Sequence, residues 1–167
     1  MADQIADNEA IRRFIAGFYA AFSFREGGQP NWDALRGLFW PGGSVIEFKN
    51  NEPVTSTPAE FLARLRSRIA HGEVLGIQER ETDSAIRVDG DLAQVFSHCE
   101  TRAMAGVGGA ATTRGVNAFL LIRHAGRWLC LSVCRAETAA APPPPVHRVM
   151  PAPAPRPPFR PGGGGRR

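Results

Sequence analysis

Arg114-Gly115-Val116-Asn117-Ala118-Phe119-Leu120-Leu121-Ile122-Arg123, a break at His124-Ala125-Gly126, and Arg127-Trp128-Leu129-Cys130-Leu131-Ser132-Val133-Cys134 make up the stretch whose reading decides the fold. β-Branched, aliphatic and aromatic residues on both sides of a short glycine-containing break read as a β-hairpin. With Ala125 and Gly126 as the turn, alternation puts Ala118, Leu120 and Ile122 on one face with Leu129, Leu131 and Val133. Asn117, Phe119 and Leu121 then share the other with Trp128, Cys130, Ser132 and Cys134. A three-residue turn that takes in His124 moves the last strand by one and exchanges its faces. The two-residue turn gives an aliphatic face for packing and a mixed face suited to a pocket.

Upstream, Val74–Val88 and Leu92–Met104 read as two more long strands, joined at Asp89-Gly90-Asp91, and the Gly-rich segment 106–109 is a flexible connection to the next strand. Before them the periodicity is helical. Ile5, Ile11, Phe14, Ile15, Phe18 and Phe22 recur at spacings of three and four, which predicts an amphipathic helix over 4–24. Asn31 or Asp33 caps a short second helix through Leu35 and Leu38, ended by Pro41-Gly42-Gly43. Ser44-Val45-Ile46-Glu47-Phe48 is a short strand and 50–57 a polar loop. Thr57-Pro58-Ala59-Glu60 has the hydroxyl cap, early proline and third-position carboxylate of a helix start. Phe61, Leu62, Leu65 and Ile69 give that helix its buried stripe, with Arg64, Arg66 and Arg68 on its wet side. The order is that of an α+β domain, with three N-terminal helices packed on one face of a curved antiparallel sheet.

Charge and composition divide the chain at residue 138. Residues 139–167 hold ten of the 14 prolines, five arginines and no acid. The net charge of +4 therefore belongs to this tail, and the preceding 138 residues carry 15 basic against 16 acidic groups. That balance argues against a nucleic-acid-tracking surface on the domain. The tail is expected to be disordered, either an inert extension or a ligand for a proline-recognising or acidic partner. No apolar run reaches the ~20 residues of a membrane span and no signal peptide is legible, so a cytoplasmic protein without membrane association is expected. Three cysteines at no ligand-like spacing predict neither disulfides nor a metal site, and no cofactor is expected.

The element order, with "LRGLFWPGGSVIEF" and "RGVNAFLLIRHAGRW", resembles the nuclear transport factor 2-like superfamily, which includes ketosteroid isomerases, SnoaL-like polyketide cyclases and scytalone dehydratase, over about residues 5–137. The resemblance implies a cone in which a bent sheet wraps the helices around an apolar pocket. It also implies a homodimer through the outer face of the sheet, here Ala118, Leu120, Ile122, Leu129, Leu131 and Val133. Glu47 falls where the isomerases carry a catalytic carboxylate, and Asn117, allowing a one-residue shift in the turn, where a second polar group polarises the substrate. Their tyrosine on the first helix is replaced by Phe18, with Tyr19 next to it. His98, on a strand face with Phe96 and Glu100, is in line for an auxiliary acid/base role like that of histidines in the dehydratase relatives. Phe14, Phe18, Tyr19, Phe22, Trp40, Phe119, Trp128, Ser132 and Cys134 are the expected pocket lining.

Each polar candidate has a plainer alternative. Glu47 is a general base whose burial favours proton transfer, or a rim carboxylate paired with an arginine such as Arg114. Asn117 donates to a substrate oxygen, or satisfies a neighbouring backbone group. His98 and Glu100 face the cavity or a half-exposed surface. Three functions follow: proton-transfer chemistry (isomerisation, cyclisation or dehydration) on an apolar carbonyl compound, a non-catalytic ligand-binding module, or a dimerisation domain that presents the tail.

Overall fold

The computed structural model describes residues 2–138; the tail expected to be disordered lies outside the described residues. Helix α1 (Ala2–Phe22) and helix α2 (Trp32–Leu38) lead into strand β1 (Phe39–Lys49) and strand β2 (Glu52–Ser56). Helix α3 (Pro58–Ala70) precedes β3 (Val74–Asp89), β4 (Leu92–Ala105), β5 (Gly109–His124) and β6 (Arg127–Thr138). The six strands form one curved, open sheet in the order β2-β1-β6-β5-β4-β3. β1 runs parallel to β6 and every other pair is antiparallel, so the sheet is mixed rather than antiparallel as expected. β2 is the strand that the polar composition of 50–57 concealed. Asn50 and Asn51 take positive φ (51° and 65°) and close a two-residue hairpin back onto β1.

Local chemistry explains the clearest boundaries. Thr57 and Glu60 close a reciprocal capping box on α3: Glu60 N donates to Thr57 Oγ1 (3.2 Å) and Thr57 N to Glu60 Oε2 (2.8 Å). The cap holds the Glu60 carboxyl below its ordinary range, chiefly through that backbone hydrogen bond. The turn between β5 and β6 is Ala125-Gly126 with φ of 49° and 73°, the two-residue geometry expected for this hairpin. Along α1 the predicted stripe is buried except for Ile5, which is exposed: Ile11, Phe14, Ile15, Phe18 and Phe22, with Tyr19 beside them, belong to one core with Val95, Phe119 and Leu121 on the inner face of the sheet.

One irregularity decides the inner face of the last strand. Leu121 pairs with Cys130, but Leu120 pairs with Ser132, so Leu131 is an extra residue in β6. Before the bulge, Trp128 and Cys130 face inward as alternation predicts. After it the parity reverses: Val133 is buried beside Phe119, and Arg135 faces inward beside Asn117. Ser132 and Cys134 consequently lie on the outer face, where Ser44 Oγ donates to Ser132 Oγ (3.1 Å), and Val133 leaves the aliphatic outer surface assigned to it.

Candidate functional site

A cavity of about 370 Å³ opens between α3 and the inner face of the sheet, at the end away from the β5–β6 turn. Phe22, Phe61, Leu65, Val74, Ile77 and Ala103 supply its apolar wall. Phe61 stacks on Phe22 with ring centroids 6.2 Å apart, so α3 and α1 meet there through aromatic faces. Lys49, Arg64, Arg68 and Arg135 bring four cationic side chains against the carboxylates of Glu47 and Glu137, with Thr101 and Thr113 between. Arg64 and Arg68, four apart on the expected wet side of α3, both reach the cavity lining, Arg64 part-buried and Arg68 still more than half exposed. Arg64 Nη2 donates to Glu47 Oε2 (2.9 Å) and Ser56 Oγ (3.0 Å), and Arg66 lies away from the cavity, over Trp32.

Behind the cavity lies a buried polar network built around Glu79, whose side chain is 0% exposed. Arg135 Nη1 donates to both of its carboxylate oxygens (2.8 and 3.0 Å), and Nη2 donates to Thr101 Oγ1 (2.8 Å). Burial disfavours the Arg135 charge, but the Glu79 carboxylate more than offsets it, and the guanidinium's proton affinity is raised. Asn117 Nδ2 donates to Glu79 Oε1 (3.0 Å) and to Tyr19 Oη (3.2 Å), with Cys99 Sγ at 3.6 Å. Ser97 spends its single proton on Glu81 Oε1 (2.9 Å), so the 2.7 Å contact between Tyr19 and Ser97 must be donated by Tyr19. The chain runs Asn117 to Tyr19 to Ser97 to Glu81, with each group satisfied. Burial raises the Tyr19 phenol well above its ordinary value and pushes the Cys99 thiol up to about 11.

Gly115 makes the network possible. The diagonal from Arg135 on β6 to Thr101 on β4 passes over Gly115 on the inner face of β5. A Cβ there would stand 2.7 Å from the carbonyl oxygen of Ala136, so no other residue fits without moving backbone.

The expected site residues divide accordingly. Glu47 lines the cavity, paired with Arg64 and not Arg114, whose carboxylate neighbour is Glu100 (3.7 Å). Asn117 is 2% exposed, and its donors are taken by protein groups: it holds Glu79 in place and has no reach to a ligand. His98 pairs with Val116 on the outer face of the sheet and does not converge with Glu47. Of the expected lining only Phe22 reaches the cavity. Phe14, Phe18 and Phe119 form an edge-to-face aromatic core, Trp128 is buried under Arg123, and Trp40 packs on His124. Tyr19 belongs to the polar network, supplying from the next position the hydroxyl that Phe18 lacks. Arg135, Glu79, Arg64 and Arg68 were missed. Glu79 sits in the charged run Gln78-Glu79-Arg80-Glu81, which reads as solvated strand, and only its alternation with Ile77 signals an inward position. No group of three or more potential metal ligands gathers among the described residues.

A curved open sheet around α1 and α3, with a cavity at its open end, is the architecture of the nuclear transport factor 2-like pocket domains. A family model for the SnoaL-like domain matches residues 3–133, and the chain belongs to that family. Solved structures agree on the fold. A hexachlorocyclohexane dehydrochlorinase, LinA type 2, superposes with a TM-score of 0.68 at 14% identity, covering 90% of this chain and 98% of its own. A putative scytalone dehydratase from Novosphingobium aromaticivorans gives 0.66 at 16%, covering 83% and 89%. The Kfla4162 protein from Kribbella flavida gives 0.66 at 17%, covering 81% and 93%. No curated protein matches the sequence. No described helix is long and apolar enough to cross a membrane.

Proposed function

We propose that this SnoaL-like domain binds a small molecule with an apolar body and an oxygen-bearing end, and moves a proton on it. The observation that carries this reading is the adjacency of Glu47 and Arg135. They are register partners across the parallel β1–β6 pair and line one cavity whose opposite wall is apolar. A carboxylate able to accept a proton beside a fixed guanidinium able to hold an oxygen is the pairing that abstraction next to a carbonyl requires. Glu47 is the base, Arg135 takes the donor role first expected of Asn117, and Asn117 positions Arg135 through Glu79. The resolved relatives named for dehydration and dehydrochlorination support a reaction of this class. The test is solvent deuterium exchange, followed by NMR over a panel of cyclic ketones and unsaturated carbonyl compounds in D₂O. Glu47→Gln should slow exchange by roughly 10²–10⁴-fold, with affinity within about tenfold. Exchange at the original rate removes Glu47 from the mechanism.

We also infer a homodimer through the outer face, in keeping with the family habit. Ala118, Leu120, Ile122 and Leu129 form its aliphatic centre, and Phe96 and Leu92 stand half exposed (53% and 52%) beside it. Phe96→Asp should turn a dimer into a monomer in sedimentation equilibrium; a monomeric parent protein overturns this.

A further inference from the structure

We propose that the oxygen-bearing end of the ligand is a carboxylate, held by the edge of Arg135 that Glu79 leaves open. The inference rests on the cavity being a ligand site and adds the charge of what it takes.

A guanidinium has five N–H groups, and the contacts to Glu79 and Thr101 account for three on Arg135. The remaining two are the Nε–H and one on Nη2. These are adjacent nitrogens with the spacing that a planar carboxylate matches in a two-bond fork. No buried side-chain nitrogen or oxygen among the described residues lacks a hydrogen-bond partner. Nε has no protein partner among those residues, so it is not sealed in the protein, and the side chain that carries it lines the cavity. The guanidinium is therefore fixed from behind and presents a donor pair in front.

The charges of the wall favour an anion. Arg135 is balanced by Glu79, which lies behind it, and Arg64 by Glu47. Arg68 pairs with Glu73, both more than half exposed, an arrangement screened by water and easily exchanged. Lys49 has no ion-pair partner among the described residues. Glu137 also lines the cavity and offsets one of the charges of Arg68 and Lys49, so the other is left to meet a carboxylate brought against Arg135. The opposite wall, with Phe22, Phe61, Leu65 and Ile77, takes a hydrocarbon body. One two-donor fork facing an apolar wall suits an amphipathic monocarboxylate, whose hydrocarbon part inorganic phosphate lacks.

Isothermal titration of the full chain with hydrocinnamate and octanoate, each against its primary amide, tests the proposal. The acids should bind at least tenfold more tightly than the amides, weaken at high salt, and resist displacement by inorganic phosphate. Glu79→Gln combined with Arg135→Gln removes both charges together, so the fold is not left with a lone buried ion. It should bring acid and amide within about twofold, whereas Arg135→Lys should retain part of the preference. Acid and amide binding equally to the parent protein, displacement of the acid by phosphate, or a preference that survives the double substitution would each overturn the carboxylate site. If neutral ketones bind and the acids do not, the cavity reading stands and this one fails. If no compound of either charge binds, both fail.

Discussion

Replacement of Arg135 by Ala is expected to destabilise the protein by about 3–5 kcal/mol, the usual cost of removing one partner from a buried ion pair. Glu79 has no exposed side-chain surface and accepts two hydrogen bonds from Arg135, against one from Asn117. Without the guanidinium, a carboxylate remains in a site that water does not reach, and Thr101 loses its donor. The energy reflects the stranded charge more than the worth of the pair. Removing both charges as Glu79→Gln with Arg135→Met should accordingly cost less than Arg135→Ala alone, a comparison that urea unfolding of the parent and the two variants makes directly. A loss below about 1 kcal/mol for Arg135→Ala would mean that Glu79 is hydrated or protonated there, and the network would have to be redrawn.

Phe18→Ala carries the second large effect, and it separates core from cavity. The Phe18 ring lies 5.1 Å from Phe119, 6.1 Å from Phe22 and 6.2 Å from Phe39, which makes it the hub of the aromatic cluster between α1 and the sheet. Truncation should cost about 3–5 kcal/mol, combining lost transfer energy with a cavity that neighbouring rings do not fill. Since Phe18 is not part of the cavity wall, whatever ligand the protein takes should bind the folded variant with nearly unchanged affinity at low temperature. A variant as stable as the parent in thermal unfolding would remove Phe18 from the centre of the core. A selective loss of binding would return it to the site.

What the sequence made legible follows from the range of the interactions involved. Helix α3 announces itself because its signal is confined to Thr57 through Glu60, and the β5–β6 turn because Ala125-Gly126 adopts a two-residue geometry that flanking strands demand. The inner face of β5 was readable from Asn117, Phe119 and Leu121 by alternation alone. Alternation fails in β6 because one extra residue at Leu131 reverses parity, and nothing in Leu129-Cys130-Leu131-Ser132 marks which residue is extra. Arg135 was thereby lost from the site and Ser132 and Cys134 wrongly gained. Glu79 escaped notice for a different reason: a buried carboxylate is stable only with partners drawn from β5 and β6, distant in sequence, so on β3 only its alternation with Ile77 hints at its burial. Glu47 was singled out because it falls on the first short strand where the resemblance implies a carboxylate, but its pairing with Arg64 on α3 was not legible, since that depends on how the helix crosses the strand.

The placement of β6 between β1 and β5 has a consequence for the order of folding. Within the sheet, among the described residues, the last strand joins the β1–β2 hairpin to the β3–β4–β5 meander, so a chain that lacks it is expected to hold the sheet as two separate fragments. Each exposes an unsatisfied edge. A chain arrested before Arg127 would therefore be a prime target for aggregation and chaperone capture, and closure of the β1–β6 pair, across nearly ninety residues of chain, should set the pace of refolding. Because Glu47 and Arg135 are joined by that same pair, the proposed site should form no earlier than the closure of β1 on β6.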